Sequence, residues 1–111
     1  MEEGSIVRID LAQADGKIKV RPVLLLKQVP SFNDWLTCGI SSSLGLEVKG
    51  FDHVIHDNES DFANTGLKHT SVIRLGFLGT VPKERISGPI GSLSKQTHLL
   101  LCNRLADHLR K

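Results

Sequence analysis

Apolar residues recur at the three- and four-residue steps of an α-helix in one segment of this chain, its last: Leu99, Cys102, Leu105, Ala106 and Leu109. Ser92 or Ser94 is placed to cap that helix. Arg104, Arg110 and Lys111 lie near its C-terminus, where cations suit the helix dipole. Everything upstream reads as strand and turn. SIVRIDL (5–11) alternates apolar and polar residues, a strand with one wet face. AQADGK follows, with the turn pair Asp15-Gly16. VRPVLLLKQV (20–29) is a continuous apolar run, a strand buried on both faces. Pro22 has no N–H to give a ladder, so it belongs at the beginning of that strand or at an edge. After the turn PSFND, WLTCGISS (35–42) is a third strand and FDHVIH (51–56) a fourth. LKHTSVIRLGFLGTVP (67–82) holds one or two more, with Gly76 a bulge or bend. LGLEVKG and DNESDFANTG read as irregular surface segments, and PKERI as one helical turn with Pro82 at its first position. Five to seven short strands followed by one helix predict a mainly β fold, a small curled sheet or barrel closed by that helix.

At 111 residues the chain is expected to form a single domain, 1–111, large enough to bury a core without staples. Its two cysteines, Cys38 and Cys102, are too few for a disulfide framework. Both sit in apolar runs, where cysteine acts as a small hydrophobe, and a reducing compartment is the simplest fit. No stretch approaches the roughly twenty apolar residues of a membrane span. The N-terminus, MEEGSIVRID, carries acids where a signal peptide needs positive charge, so a cytoplasmic protein without membrane attachment is expected. Charge is uneven along the chain. Residues 47–61 hold five acids and one lysine, whereas 68–111 hold eight Lys or Arg and two acids. That division fits a basic face for a polyanion, and equally a solvated surface.

The nucleotide and zinc signatures GxxxxGK[ST], GxGxxG, HExxH and CxxC are all absent. His53 and His56 are three apart, which on a strand points them to opposite faces, a poor metal pair. No metal and no cofactor are expected. The polar residues at strand ends say more. Arg21 opens the second strand and Ser41, Ser42 and Ser43 close the third. If the two pair antiparallel, a guanidinium and a hydroxyl cluster share one rim, a combination suited to a phosphate. The plainer alternative is that the serines merely end a strand and Arg21 pairs with a surface acid.

These pieces, in this order, resemble a known family. GSIVRIDL is similar to the opening strand of the PemK/MazF toxins of type II toxin–antitoxin systems. KVRPVLLL resembles their Arg-Pro strand, CGISS their third strand, and NTGLKHTSVIRLGFLGTV with ISGPIGSLS and the closing helix their C-terminal half. The resemblance covers residues 4 to about 109. It implies an SH3-like barrel with a C-terminal α-helix and a homodimer. It also implies endoribonuclease activity that cuts single-stranded RNA at short sequences without metal, and a protein antitoxin that blocks the site. Arg21 matches the catalytic arginine of the Arg-Pro motif, and Ser41 the Thr or Ser that ends strand three. Near His69, Thr70 and Ser71 some members carry an acid that this chain lacks.

On that footing Arg21 is expected to stabilise the phosphorane charge, Ser41 to hydrogen-bond a phosphoryl oxygen or the 2′-hydroxyl, and His69 to act as general base. Lys17, Lys19, Ser42 and Arg74 are expected to hold RNA around the cut. With four Phe, one Trp and no Tyr, base stacking is expected to be limited, and Trp35 belongs to the core or to a dimer interface. Two other readings stay open: a CcdB-like poison of a protein such as DNA gyrase, and an inactive relative that serves as a binding module.

Overall fold

The computed structural model describes residues 1–12, 14–30 and 32–111. Gln13 and Ser31, within the turns expected from AQADGK and PSFND, lie outside the described residues. Among those described, six strands form one antiparallel sheet: β1 (Ser5–Ala12), β2 (Ile18–Val29), β3 (Asp34–Ser41), β4 (His53–Ile55), β5 (Ser71–Val81) and β6 (Pro89–Ser92), in the order β4-β5-β3-β2-β1-β6. The sheet curls into a half-barrel, and one helix, α1 (Lys95–Leu109), follows it. β4 and β6 remain its outer strands. The short helical turn Phe62–Thr65 presses against β6: a Cβ on Gly91 would stand 2.3 Å from the carbonyl carbon of Thr65. Only glycine at that point of β6 lets the two backbones meet.

The continuous run in β2 has the cause its composition implies. Leu24 and Leu26 point into one core, with Ile6, Cys38, Ile40, Ile73 and Leu75, roofed by Leu101 and Leu105 of α1. Val23 and Leu25 point into a second core with Val7, Ile9, Trp35 and Val81. Strands that bury both faces cannot alternate, and Trp35 belongs to this second core. Pro22 stands fifth in β2, not at its start. It is tolerated because β2 pairs there with β1 alone; the ladder with β3 begins one residue later, at Val23 opposite Gly39.

Three expectations need correction. The helix docks through Leu101 and Leu105, while Leu99 and Leu109 are 60% and 71% exposed. Leu99, Leu100 and Leu101 are consecutive, so the apolar face is ambiguous by most of a turn, and packing selects Leu101. Ser94 is the cap, its Oγ accepting from the Thr97 N–H at 3.1 Å. β4 is three residues long rather than six, because the Asp52 carboxylate accepts the Val48 N–H at 2.9 Å and holds the chain before His53 in a loop. Pro82 caps the turn Lys83–Arg85 from outside, one position before the first helical residue.

Candidate functional site

β2 and β3 meet in a register that brings their polar ends together. The last pair on the ladder is Val23 opposite Gly39; Arg21 and Ser41 each lie two residues beyond that end, and both line the same clefts. Two adjoining clefts open there. The first, about 380 Å³, is lined by Leu11, Arg21, the three serines 41–43, Leu46, Arg74 and Phe77, over Gly39. The second, about 280 Å³, is lined by Arg8, Arg21, Ser41, Lys68, His69 and Ser71. Arg21, Pro22, Ile40, Ser41 and Ser42 belong to both. His69 and Arg74 therefore stand on opposite sides of the Arg21–Ser41 pair.

Among the described residues, no acid lines either cleft, and the only ion pairs are Lys27–Glu3 and Arg110–Asp107, both elsewhere. Arg21 is exposed and, among the described residues, forms no ion pair with a surface acid. Four guanidinium or ammonium groups, from Arg8, Arg21, Lys68 and Arg74, face a concave surface with no counter-charge in its walls. Such a surface collects anions.

A family model described as PemK-like, MazF-like toxin of type II toxin–antitoxin system matches residues 2–109. The chain belongs to this toxin family. No curated protein matches it. As a toxin of a type II system it has a protein antitoxin as its counterpart. No helix among the described residues is long and apolar enough to cross a membrane.

Within this family member the junction is fixed by local hydrogen bonds. The Ser41 Oγ accepts from the Ser43 N–H at 3.1 Å, which turns the serine run and leaves the Ser41 hydroxyl proton free to donate. Around His69 the backbone is pinned on its C-terminal side. The Ser71 Oγ–H donates to the His69 carbonyl at 2.7 Å, and the Thr70 Oγ1 accepts from the Asp57 N–H at 2.9 Å. The His69 side chain stays exposed. β5 is a single strand with a bulge. Cys38 is opposite Leu78 but Gly39 is opposite Arg74, so residues 75–77 have no partners on β3. The bulge sets Arg74 and Phe77 side by side, three residues apart, where a regular strand would send them to opposite faces.

Lys17 and Lys19 line neither cleft. They stand on the exposed β1–β2 hairpin, Lys19 opposite Leu11, which reaches the first cleft, and Lys17 with its N–H on Asp15 Oδ1 at 2.9 Å. Arg8, Lys68 and Phe77 were not expected at the site. Arg8 is the residue opposite Pro22 on the β1–β2 ladder, beside the Arg-Pro motif, and that register was the available signal. Lys68 precedes His69 directly. Phe77 is placed by the bulge, which no local pattern specifies.

The displaced pKa values arise in and beside the core under α1. Burial pushes the Cys38 thiol up to about 12, with the nearby Asp52 charge adding to it. Burial also raises Cys102 and lowers His98, whose Nε2 is 3.5 Å from the Cys102 Sγ. His53 is lowered by burial and then by the Arg104 charge. Among the described residues, no cluster of His, Cys, Asp or Glu is arranged to hold a metal ion.

Proposed function

We propose that this toxin is a metal-independent endoribonuclease that cuts single-stranded RNA at the junction of the two clefts. The observation that carries the reading is the Arg21–Ser41 pair, lined up at the shared rim with free cations on both sides. The scissile phosphate sits between those two side chains, and its neighbours run toward Arg74 on one side and toward Arg8 and Lys68 on the other. His69 removes the proton of the adjacent 2′-hydroxyl. That oxygen attacks phosphorus in line, the bond to the 5′-oxygen breaks as that oxygen takes a proton from a solvent water, His69 gives its proton back to solvent, and the products are a 2′,3′-cyclic phosphate and a 5′-hydroxyl. Arg21 gives two parallel charge-assisted hydrogen bonds to the phosphorane oxygens and stays protonated throughout. Ser41, its oxygen already engaged by the Ser43 N–H, donates to a non-bridging oxygen. Ser42 adds a donor in both clefts. Lys17 and Lys19 reach phosphates farther out along the hairpin. The antitoxin acts by covering this basic groove. The working form is a cytoplasmic homodimer.

Anion collection favours RNA over a protein target such as gyrase, since a groove with no acid in its walls suits a polyphosphate chain. The test is incubation with a long single-stranded RNA in EDTA beside Arg21→Ala, with the new 5′ ends mapped. Discrete cuts bearing 5′-hydroxyls, slowed about 10²–10³-fold in the variant, are expected. Intact RNA across diverse sequences would end the enzyme reading.

A further inference from the structure

Among the described residues, Phe77 is the one Phe or Trp side chain lining either cleft. Trp35 is buried in the second core, and Phe51 packs against the His108 ring with centroids 4.9 Å apart. Phe77, by contrast, leaves 48% of its surface open. It is held in place from two directions. Beneath it lies Gly39, where even a Cβ would come within 3.2 Å of the Phe77 ring, so the bare β3 backbone lets the ring settle against it. Above it the Arg74 guanidinium carbon stands 5.3 Å from the ring centroid. The result is a half-open aromatic ring inside a concave cleft, beside a row of cations.

We propose that the Phe77–Arg74 pair is the nucleobase-stacking subsite of the groove. It takes the base of the nucleotide adjoining the scissile phosphate, stacked on the outer face of the guanidinium plane and packed against the exposed edge of the ring. This rests on the RNA-cleaving reading of the same groove. The cleft volume of about 380 Å³ lies at the small end of the roughly 300–1,000 Å³ of small-molecule sites, so it holds one base rather than a run of them. Arg and aromatic planes are the surfaces on which single-stranded bases are received. A phenylalanine offers no hydrogen bonds, so the subsite selects by stacking area and favours a purine over a pyrimidine. Leu11 and Leu46 wall the same cleft and exclude water from the stacked base.

The experiment pairs protein variants with altered RNA. Binding is read by fluorescence anisotropy on an oligonucleotide carrying 2′-deoxyribose at the mapped cut, so that it cannot react; cleavage is read on the all-ribose version. Each is made with the adjoining base present or replaced by an abasic sugar. Phe77→Ala should weaken binding of the normal oligonucleotide about 5- to 150-fold, while Phe77→Trp restores it. On the abasic oligonucleotide Phe77→Ala should match the wild type. Because the side chain is half exposed, thermal melts of both variants should stay close to wild type. If wild type binds and cuts RNA while Phe77→Ala does so equally well, or loses the same factor on normal and abasic RNA, the stacking subsite is wrong and the nuclease reading survives. If no RNA binds wild type, both fall together.

Discussion

Asp52 lines neither cleft, yet it holds the strand that shapes the groove. The residue is 5% exposed. One carboxylate oxygen accepts the Leu75 N–H at 3.0 Å, the other the Val48 N–H at 2.9 Å. Leu75 is the first of the bulged residues on β5, between Arg74 and Phe77, and its N–H has no partner on β3 to turn to. Asp52→Ala removes both acceptors but leaves the Asp52 carbonyl, which receives the Arg104 guanidinium at 3.0 Å. A buried N–H left without an acceptor costs about 1–3 kcal/mol, and more when the lost acceptor was charged. The Leu75 group is fully enclosed, whereas the Val48 group reaches water and counts for less, so a total near 3 kcal/mol is expected. With an unfolding entropy of about 2.1 cal/mol/K per residue, that lowers the melting temperature of a chain this length by about 13 °C. Asp52→Asn keeps one acceptor and turns an NH₂ toward the other N–H, so its cost should fall between Ala and wild type. Urea unfolding with an unchanged m-value reads both. An Ala variant within 0.5 kcal/mol of wild type would refute the assignment of Asp52 as the acceptor that the bulge depends on.

Two further outcomes follow from the displaced pKa values. His53 and His98 are both lowered in the folded chain, so folding keeps them neutral where the unfolded chain would protonate them. Their contribution is therefore fully present above the ordinary value of 6.5 and is lost as pH falls through the lower folded values. Stability measured in urea should drop between pH 7 and pH 5, with a smaller drop in His53→Gln; a flat profile over that range would contradict both assignments. The Cys38 thiol, fully buried and pushed up to about 12, should resist a thiol reagent in the native protein at pH 8 and react only on unfolding. Cys102 is partly open and should react slowly; equal rates for the two thiols would show that the core under α1 opens far more readily than its packing implies.

What could be read from the residues alone was what adjacent residues settle between themselves. The unbroken Val23–Leu26 run announces a strand with two buried faces, because water contact on either side would demand polar residues there. The turn pair Asp15-Gly16, the capping Ser94 and the bulge glycine Gly76 act within a few residues of themselves. The Arg-Pro motif and the strand-ending serines pointed to their shared rim once antiparallel pairing was assumed, since register follows from where the two strands end. Helix docking was not legible, because Leu99 and Leu101 are equally apolar and only contact with Ile6, Leu24 and Leu26 favours one of them. Nor was the choice of cations. Arg8 and Lys68 enter the groove while Lys17 and Lys19 stay outside it, an outcome of sheet curl rather than of spacing. The stack of Phe77 on Gly39 exists because three residues of β5 skip a partner strand brought to them from more than thirty positions away. A sequence specifies short-range conformation through propensity and pattern; long-range register is a property of the assembled sheet, and this groove is made of register.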